Sequence, residues 1–245
     1  MPVQFPRSPV VLLVIGCAVL VAAATVGAQP KESPAVTEVR GTLAAARKAI
    51  DAHKTAGGSP ASADHPAIKW DAELWAFRQK YPDTDAAALA SAEAVRLLVR
   101  AQLWDRVHAR VASLDADDRA WERLAVPIYD EGIARKDLQY TIDTLSKTAA
   151  ATTTASIKSA ALLVIGRAHR RRGDSAAAIA ALEAAKRASP GTLHAEEADG
   201  LLYEIKYLSA GLPAPAVSGK ARNGGAVSLA ALRGKPVVLV FWGST

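Results

Sequence analysis

The feature that most constrains this chain is a change of hydrophobic period near its C-terminal end. Up to Gly211 apolar residues recur at helical spacing, and after it they do not. Leu212-Pro213-Ala214-Pro215-Ala216-Val217 is extended, because each proline pushes its predecessor out of the helical region. Asn223-Gly224-Gly225 signals a hairpin turn, since asparagine and glycine tolerate positive φ. Val227-Ser228-Leu229 and one helical turn through Leu232 follow, and Gly234-Lys235 breaks that turn. Pro236 to Trp242 (PVVLVFW) is then a continuous run of β-branched, aliphatic and aromatic residues, which suits a strand covered on both faces.

Ahead of this point the helical reading is continuous. Val36, Val39, Leu43 and Ile50 predict a helix over about 35 to 56, ended by Gly57-Gly58-Ser59-Pro60, with 57 to 66 as a linker. Trp70, Leu74 and Phe77 share one face of the next helix, which Tyr81-Pro82-Asp83 closes. Asp83 or Asp85 is expected to cap the following helix, to about Leu103. Helices are expected over Trp104 to Leu114, Arg119 to Ala134 and Asp137 to Ala149, with Trp121, Leu124 and Ile128 inward. Pro127 is expected to kink or split the second of these. Thr152 to Thr154 reads as a turn.

Residues 159 to 192 carry a more specific pattern. Leu162, Ile165, Gly166, His169, Gly173, Ala178, Leu182, Ala185 and Pro190 fall on the spacing of a tetratricopeptide (TPR) repeat, which they resemble. Gly166 and Ala178 are small where two antiparallel helices would approach closely. Gly173-Asp174 makes the turn, and Pro190 opens the next helix, with Leu201, Leu202 and Ile205. A lone helical hairpin cannot bury its apolar face, so stacked hairpins over about 67 to 209 are expected. Such an array either binds a protein partner in a groove or holds another domain in place.

The N-terminus predicts export. Arg7 gives a positive start, Val10 to Ala24 is almost continuously apolar, and Val26-Gly27-Ala28 offers small residues for cleavage before Gln29. The apolar run is about 15 residues, short of the roughly 20 that span a bilayer. Cys17 is read as a small residue of the signal core, while Val14-Ile15-Gly16-Cys17 also resembles a lipobox, so a lipid anchor at Cys17 is the alternative. No other cysteine occurs in the 245 residues. The expected location is periplasmic or cell-envelope, with membrane contact only through the signal or that anchor.

Other chemistry is poorly supported by the residues. The net charge is +6, but acidic and basic residues alternate through most of the chain. The densest basic run, Arg167 to Arg172, has no interleaved aromatic to stack on a base, which argues against nucleic acid. It is read as a solvated helix end complementing the macrodipole. His53, His65, His108, His169 and His194 are scattered, with no i, i+4 pair to hold a metal. His169 is read as an inter-helix packing residue. Asn223-Gly224-Gly225 lacks the Gly-Lys-Ser/Thr ending of a phosphate loop, and Ser244 lacks a nucleophile-elbow context. No catalytic, cofactor-binding or metal-ligating residue is assigned, and no cofactor is expected.

Gly211 to Thr245 resembles the start of TlpA/ResA-like and AhpC/TSA redoxin domains. The matching elements, in order, are Pro213 to Pro215, the Ser228 to Pro236 block (SLAALRGKP) and the Phe241-Trp242 ending. In that family this stretch forms a β-hairpin and the first central strand of a thioredoxin fold, followed by a Cys-x-x-Cys or single peroxidatic cysteine. The sequence stops about where that motif would begin, and is read as a piece of a longer product. Trp242 would precede the motif, but is read as a core aromatic.

The expected fold is thus mainly α: a signal peptide (1–28), a leader helix and linker (29–66), a TPR-like antiparallel helical array (67–209), and the truncated first hairpin and central strand of a thioredoxin-like α/β domain (210–245). The resemblance implies thiol–disulfide oxidoreductase or peroxidase-type antioxidant activity in the full-length product, acting on a protein thiol or disulfide or on a peroxide. The alternative is a non-enzymatic TPR-like interaction scaffold of the cell envelope.

Overall fold

The computed structural model of the protein describes residues 11–13, 33–221 and 224–240. The cleavage region at 26–29, Cys17, Asn223, Trp242 and Ser244 lie outside the described residues. The chain divides into two compact units, Lys31–Lys206 and a second formed from the described parts of Met1–Pro30 and Tyr207–Thr245.

The first unit is entirely helical among the described residues: α1 (Pro34–Thr55), α2 (Ala67–Lys80), α3 (Asp85–Arg100), α4 (Trp104–Ala112), α5 (Trp121–Ala134), α6 (Leu138–Ala151), α7 (Ala155–Arg171), α8 (Ser175–Ala188) and α9 (Leu193–Tyr207). Most helices adjacent in sequence pack together, α7 with α8 and α2 with α3 most extensively, and α3, α5 and α7 also contact one another in series. The core accordingly runs as three successive clusters. Val39, Leu43, Leu74, Phe77 and Leu97 fill the first. Val95, Leu98, Leu124, Ile128, Leu145, Ile157 and Val164 fill the second. Leu163, Leu182, Ala198, Leu202 and Ile205 fill the third. Leu103 packs against the first two, and Leu162 against the last two. The helix set apart in the sequence as a leader, α1, therefore supplies part of the first cluster. The stretch joining it to α2 is packed as well: the Ala61 amide donates to the Ala101 carbonyl at 2.7 Å.

Most expected elements occur with shifted ends. The cap of α3 is Thr84 rather than Asp83 or Asp85. Thr84 is extended (φ −107°, ψ 162°) and its Oγ1 accepts from the Ala87 amide at 3.2 Å. Asp83 has φ +56°, outside the cap geometry, and Asp85 lies in the first turn, accepting from Arg119 at 2.7 Å. Pro127 does not split α5, which is one helix over Trp121–Ala134 with Pro127 buried inside it. The proline lacks the N–H that would bond the Arg123 carbonyl, but burial of Trp121, Leu124 and Ile128 on both sides of it outweighs one lost bond. Pro190 does not open α9. Gly191 turns the chain at φ +72°, and Thr192 Oγ1 accepts from the Ala195 amide at the helix start.

The close approach expected at Gly166 occurs. A Cβ built on Gly166 would lie 2.6 Å from Leu182 Cγ and 3.4 Å from the Ala178 carbonyl oxygen, so α7 and α8 meet with no room for a side chain.

The second unit holds a small antiparallel sheet. β2 (Ser218–Lys220) pairs with β3 (Ala226–Ser228), with Gly219 opposite Val227. Gly224 takes φ +83° in the turn, and the Ala221 amide donates to the Gly225 carbonyl at 2.8 Å. A 3₁₀ turn (Leu229–Leu232) leads to β4 (Val237–Leu239). β4 pairs in parallel with β1 (Val11–Leu13), Val11 opposite Val237. Val238, Leu239 and Val240 remain exposed.

Substituting Gly166 by valine tests the α7–α8 contact. The added branch must displace the fully buried Leu182, so denaturant unfolding of Gly166→Val is expected to show a loss of about 2 kcal/mol.

Candidate functional site

The five histidines do not converge. His53 and His65 meet edge to face with ring centroids 4.7 Å apart, and His65 is buried, its Nδ1 accepting from the Ala67 amide at 3.1 Å. Burial lowers the pKa of His65 and also that of His194. His169 on α7 has its Nδ1 3.7 Å from Asp174. Among the described residues no three His, Cys, Asp or Glu side chains are arranged to hold a metal ion.

What the fold does bring together are three carboxylate clusters, two of them buried and held by guanidinium groups and one held by a threonine turn. Asp71 on α2, fully buried, accepts from Arg110 Nε and Nη2 at 2.9 Å each, and the same guanidinium lies 4.5 Å from the Trp75 ring centre. This two-pronged pair ties α2 to α4 and satisfies a charge that would otherwise be costly to bury. Asp117 joins the loop before α5 to the Thr152–Thr154 turn. It accepts from the Thr152 hydroxyl at 2.6 Å and from the Thr153 and Thr154 amides at 2.8 and 3.0 Å. Those bonds, the Thr152 hydroxyl foremost, hold its carboxyl well below the usual aspartate range.

The third cluster has the groups of acid–base chemistry. Glu131 on α5 is fully buried, and its Oε1 accepts from His108 Nε2 and Arg135 Nη1, each at 2.8 Å. Arg135 also lies over the rings of Tyr140 and Trp104, at 5.3 and 5.9 Å. The His108 and Tyr140 rings are 4.9 Å apart. Burial, and then the Glu131 carboxylate, push the Tyr140 phenol up to about 12. A phenol held so firmly is a poor proton donor at neutral pH. The cluster joins α4, α5 and α6 as a polar clamp. In sequence only the Glu131–Arg135 spacing of four residues hinted at it.

Two open clefts offer surface for a ligand. One, of 460 Å³, is lined by Tyr129 on α5, Arg167, Arg170 and Arg171 on α7, and Leu201 on α9. The other, of 470 Å³, lies where α5 turns into α6, between Lys136 and Arg171 with Arg172. The Arg167 to Arg172 run is thus a helix end that lines both clefts, with Arg171 common to the two. Arg167 pairs with Glu197, Arg170 with Glu204 at 2.7 Å, and Arg172 donates to Gln139.

No protein-family model, no curated protein and no solved structure matches the chain.

The raised Tyr140 pKa has a stability consequence with a defined sign. Its unfolded phenol ionises near 10.0 and its folded phenol near 12. The neutral phenol therefore contributes stability below pH 10 that is lost as pH rises through 12. The melting temperature of the unaltered chain is expected to fall more steeply over that window than that of Tyr140→Phe. Parallel curves for the two would refute the assignment.

Proposed function

We propose that this chain is the exported, partner-facing part of a thioredoxin-like redoxin, in which a TPR-like helical array precedes the oxidoreductase domain. The observation that carries the reading is the order of elements after Gly211: hairpin, single helical turn and apolar strand, on the same residues that resemble the opening of TlpA/ResA-like and AhpC/TSA domains. Val238, Leu239 and Val240 on and after β4 are exposed, and an apolar strand of this kind needs layers on both faces. Further strands and helices of a thioredoxin-like domain would supply them. The helical hairpin of α7 and α8, closed on Gly166, supports the TPR-like part of the reading, as does the serial contact of α3, α5 and α7.

In this reading residues 1–245 contribute no reacting group. A cysteine following the strand would act as the thiolate, attacking a disulfide sulfur to form a mixed disulfide while the S–S bond breaks and the other sulfur leaves as a thiolate. Attack on a peroxide oxygen would instead break the O–O bond, so that the cysteine becomes a sulfenic acid and water or an alcohol leaves. The array would position that domain or its protein substrate in the cell envelope. A second reading, a non-enzymatic scaffold, is favoured by the self-contained core of residues 31–206, which needs no redox domain to close it.

The two readings separate on the gene beyond the Thr245 codon and on insulin-disulfide reduction. The redoxin reading expects one or two cysteines within about ten codons and reduction by the whole product but not by residues 1–245. Absence of any cysteine there, or activity in residues 1–245 alone, would overturn it. Export has its own readout: intact mass of the secreted protein is expected to begin at Gln29, whereas a lipid-modified species starting at Cys17 would identify the anchor instead.

A further inference from the structure

We propose that the two clefts flanking Arg171 form one docking surface for an acidic, extended polypeptide segment carrying an apolar side chain. This assigns a partner class to the helical array and stands independently of whether a redoxin domain follows it.

The charge pattern is the first support. Among the described residues neither Lys136 nor Arg171 has a carboxylate within ion-pair distance, and Arg172 is engaged only by the neutral Gln139 amide. All three are exposed. The acid that lines this surface, Asp137, is occupied as the cap of α6, accepting from the Tyr140 amide at 3.1 Å. The C-terminal ends of α5 and α7 each carry about half a negative charge, which one cation more than offsets. Arg135 and Arg170, already paired with Glu131 and Glu204, add no net charge. A positive excess therefore remains, beyond what capping two helix ends requires.

The second support is what lies between the cations. Tyr129 and Leu201 face the cleft from α5 and α9, and Val126, one turn before Tyr129, is exposed. Asp130 on the same helix has Arg96, Arg100 and Arg167 as its charged neighbours, and Glu131 beside it is held by His108 and Arg135. A partner segment with carboxylates on either side of an apolar residue matches this order: cations at Lys136 and Arg171, then an aromatic and aliphatic floor. Because the surface spans four helices, α5, α6, α7 and α9, it suits a length of chain better than a compact ligand.

The test uses the full chain and a short fluorescein-labelled peptide rich in Glu and Asp with a central Leu. Fluorescence anisotropy at low salt should saturate, and binding should weaken as salt shortens the screening length. The same peptide with Gln and Asn in place of its acids should not bind. The Lys136→Glu/Arg171→Glu double variant should bind at least about tenfold more weakly while retaining its helical circular dichroism. Should that variant lose helicity, Lys136→Gln/Arg171→Gln replaces it with the same expected direction. No saturation with the acidic peptide, or equal affinity in both charge variants and the unaltered chain, would overturn the proposal. So would tighter binding of single-stranded DNA of equal charge, with the same dependence on the two cations.

Discussion

Alanine buries little area, and that constraint shapes the whole helical unit. Twelve of the sixteen residues of α3 are buried, and six of those are alanines. A helix with such short side chains gains enough apolar contact only when neighbours close on it from several sides. Here α1, α2, α4 and α5 all do so. The same logic acts at the other end, where α7 and α8 approach until Gly166 has no room for a Cβ against Leu182. Close approach in turn leaves little tolerance for misplaced polar groups, so the buried carboxylates of Asp71 and Glu131 are each matched by a guanidinium from another turn or helix.

Local chemistry was readable where the signal is local. Trp121, Leu124 and Ile128 declare an inward face by their spacing alone, and all three are buried. The close helix approach at Gly166 was expected from its spacing with Ala178, while the structure adds Leu182 as the side chain that fills the space. The cap of α3 misled because Asp83, Thr84 and Asp85 are three adjacent cap formers, and only backbone geometry selects the middle one. Pro127 misled for a different reason: its helix is held by burial on both sides rather than by its own ladder. Apart from the four-residue spacing of Glu131 and Arg135, the polar clamps were illegible in the sequence. Arg110 lies 39 residues from Asp71, and His108 lies 23 from Glu131, separations no periodicity can bridge.

The C-terminal unit poses the opposite problem. Its elements are legible one by one, from the Asn-Gly-Gly turn to the PVVLV strand, yet they enclose almost nothing. No residue of the 3₁₀ turn is buried, and β4 shows its apolar side chains to solvent. Short strands with so few neighbours gain little stability of their own. The contrast with residues 31–206 is one of closure rather than of sequence quality.

The passage of the core from one cluster to the next through Leu103 and Leu162 has a mechanical meaning. Helix α3 gives Leu97 to the first cluster and Leu98 to the second, and α7 gives Val164 to the second and Leu163 to the third. Each of these helices is therefore buried on two sides, and a volume change in one cluster is passed to the next through a helix that belongs to both.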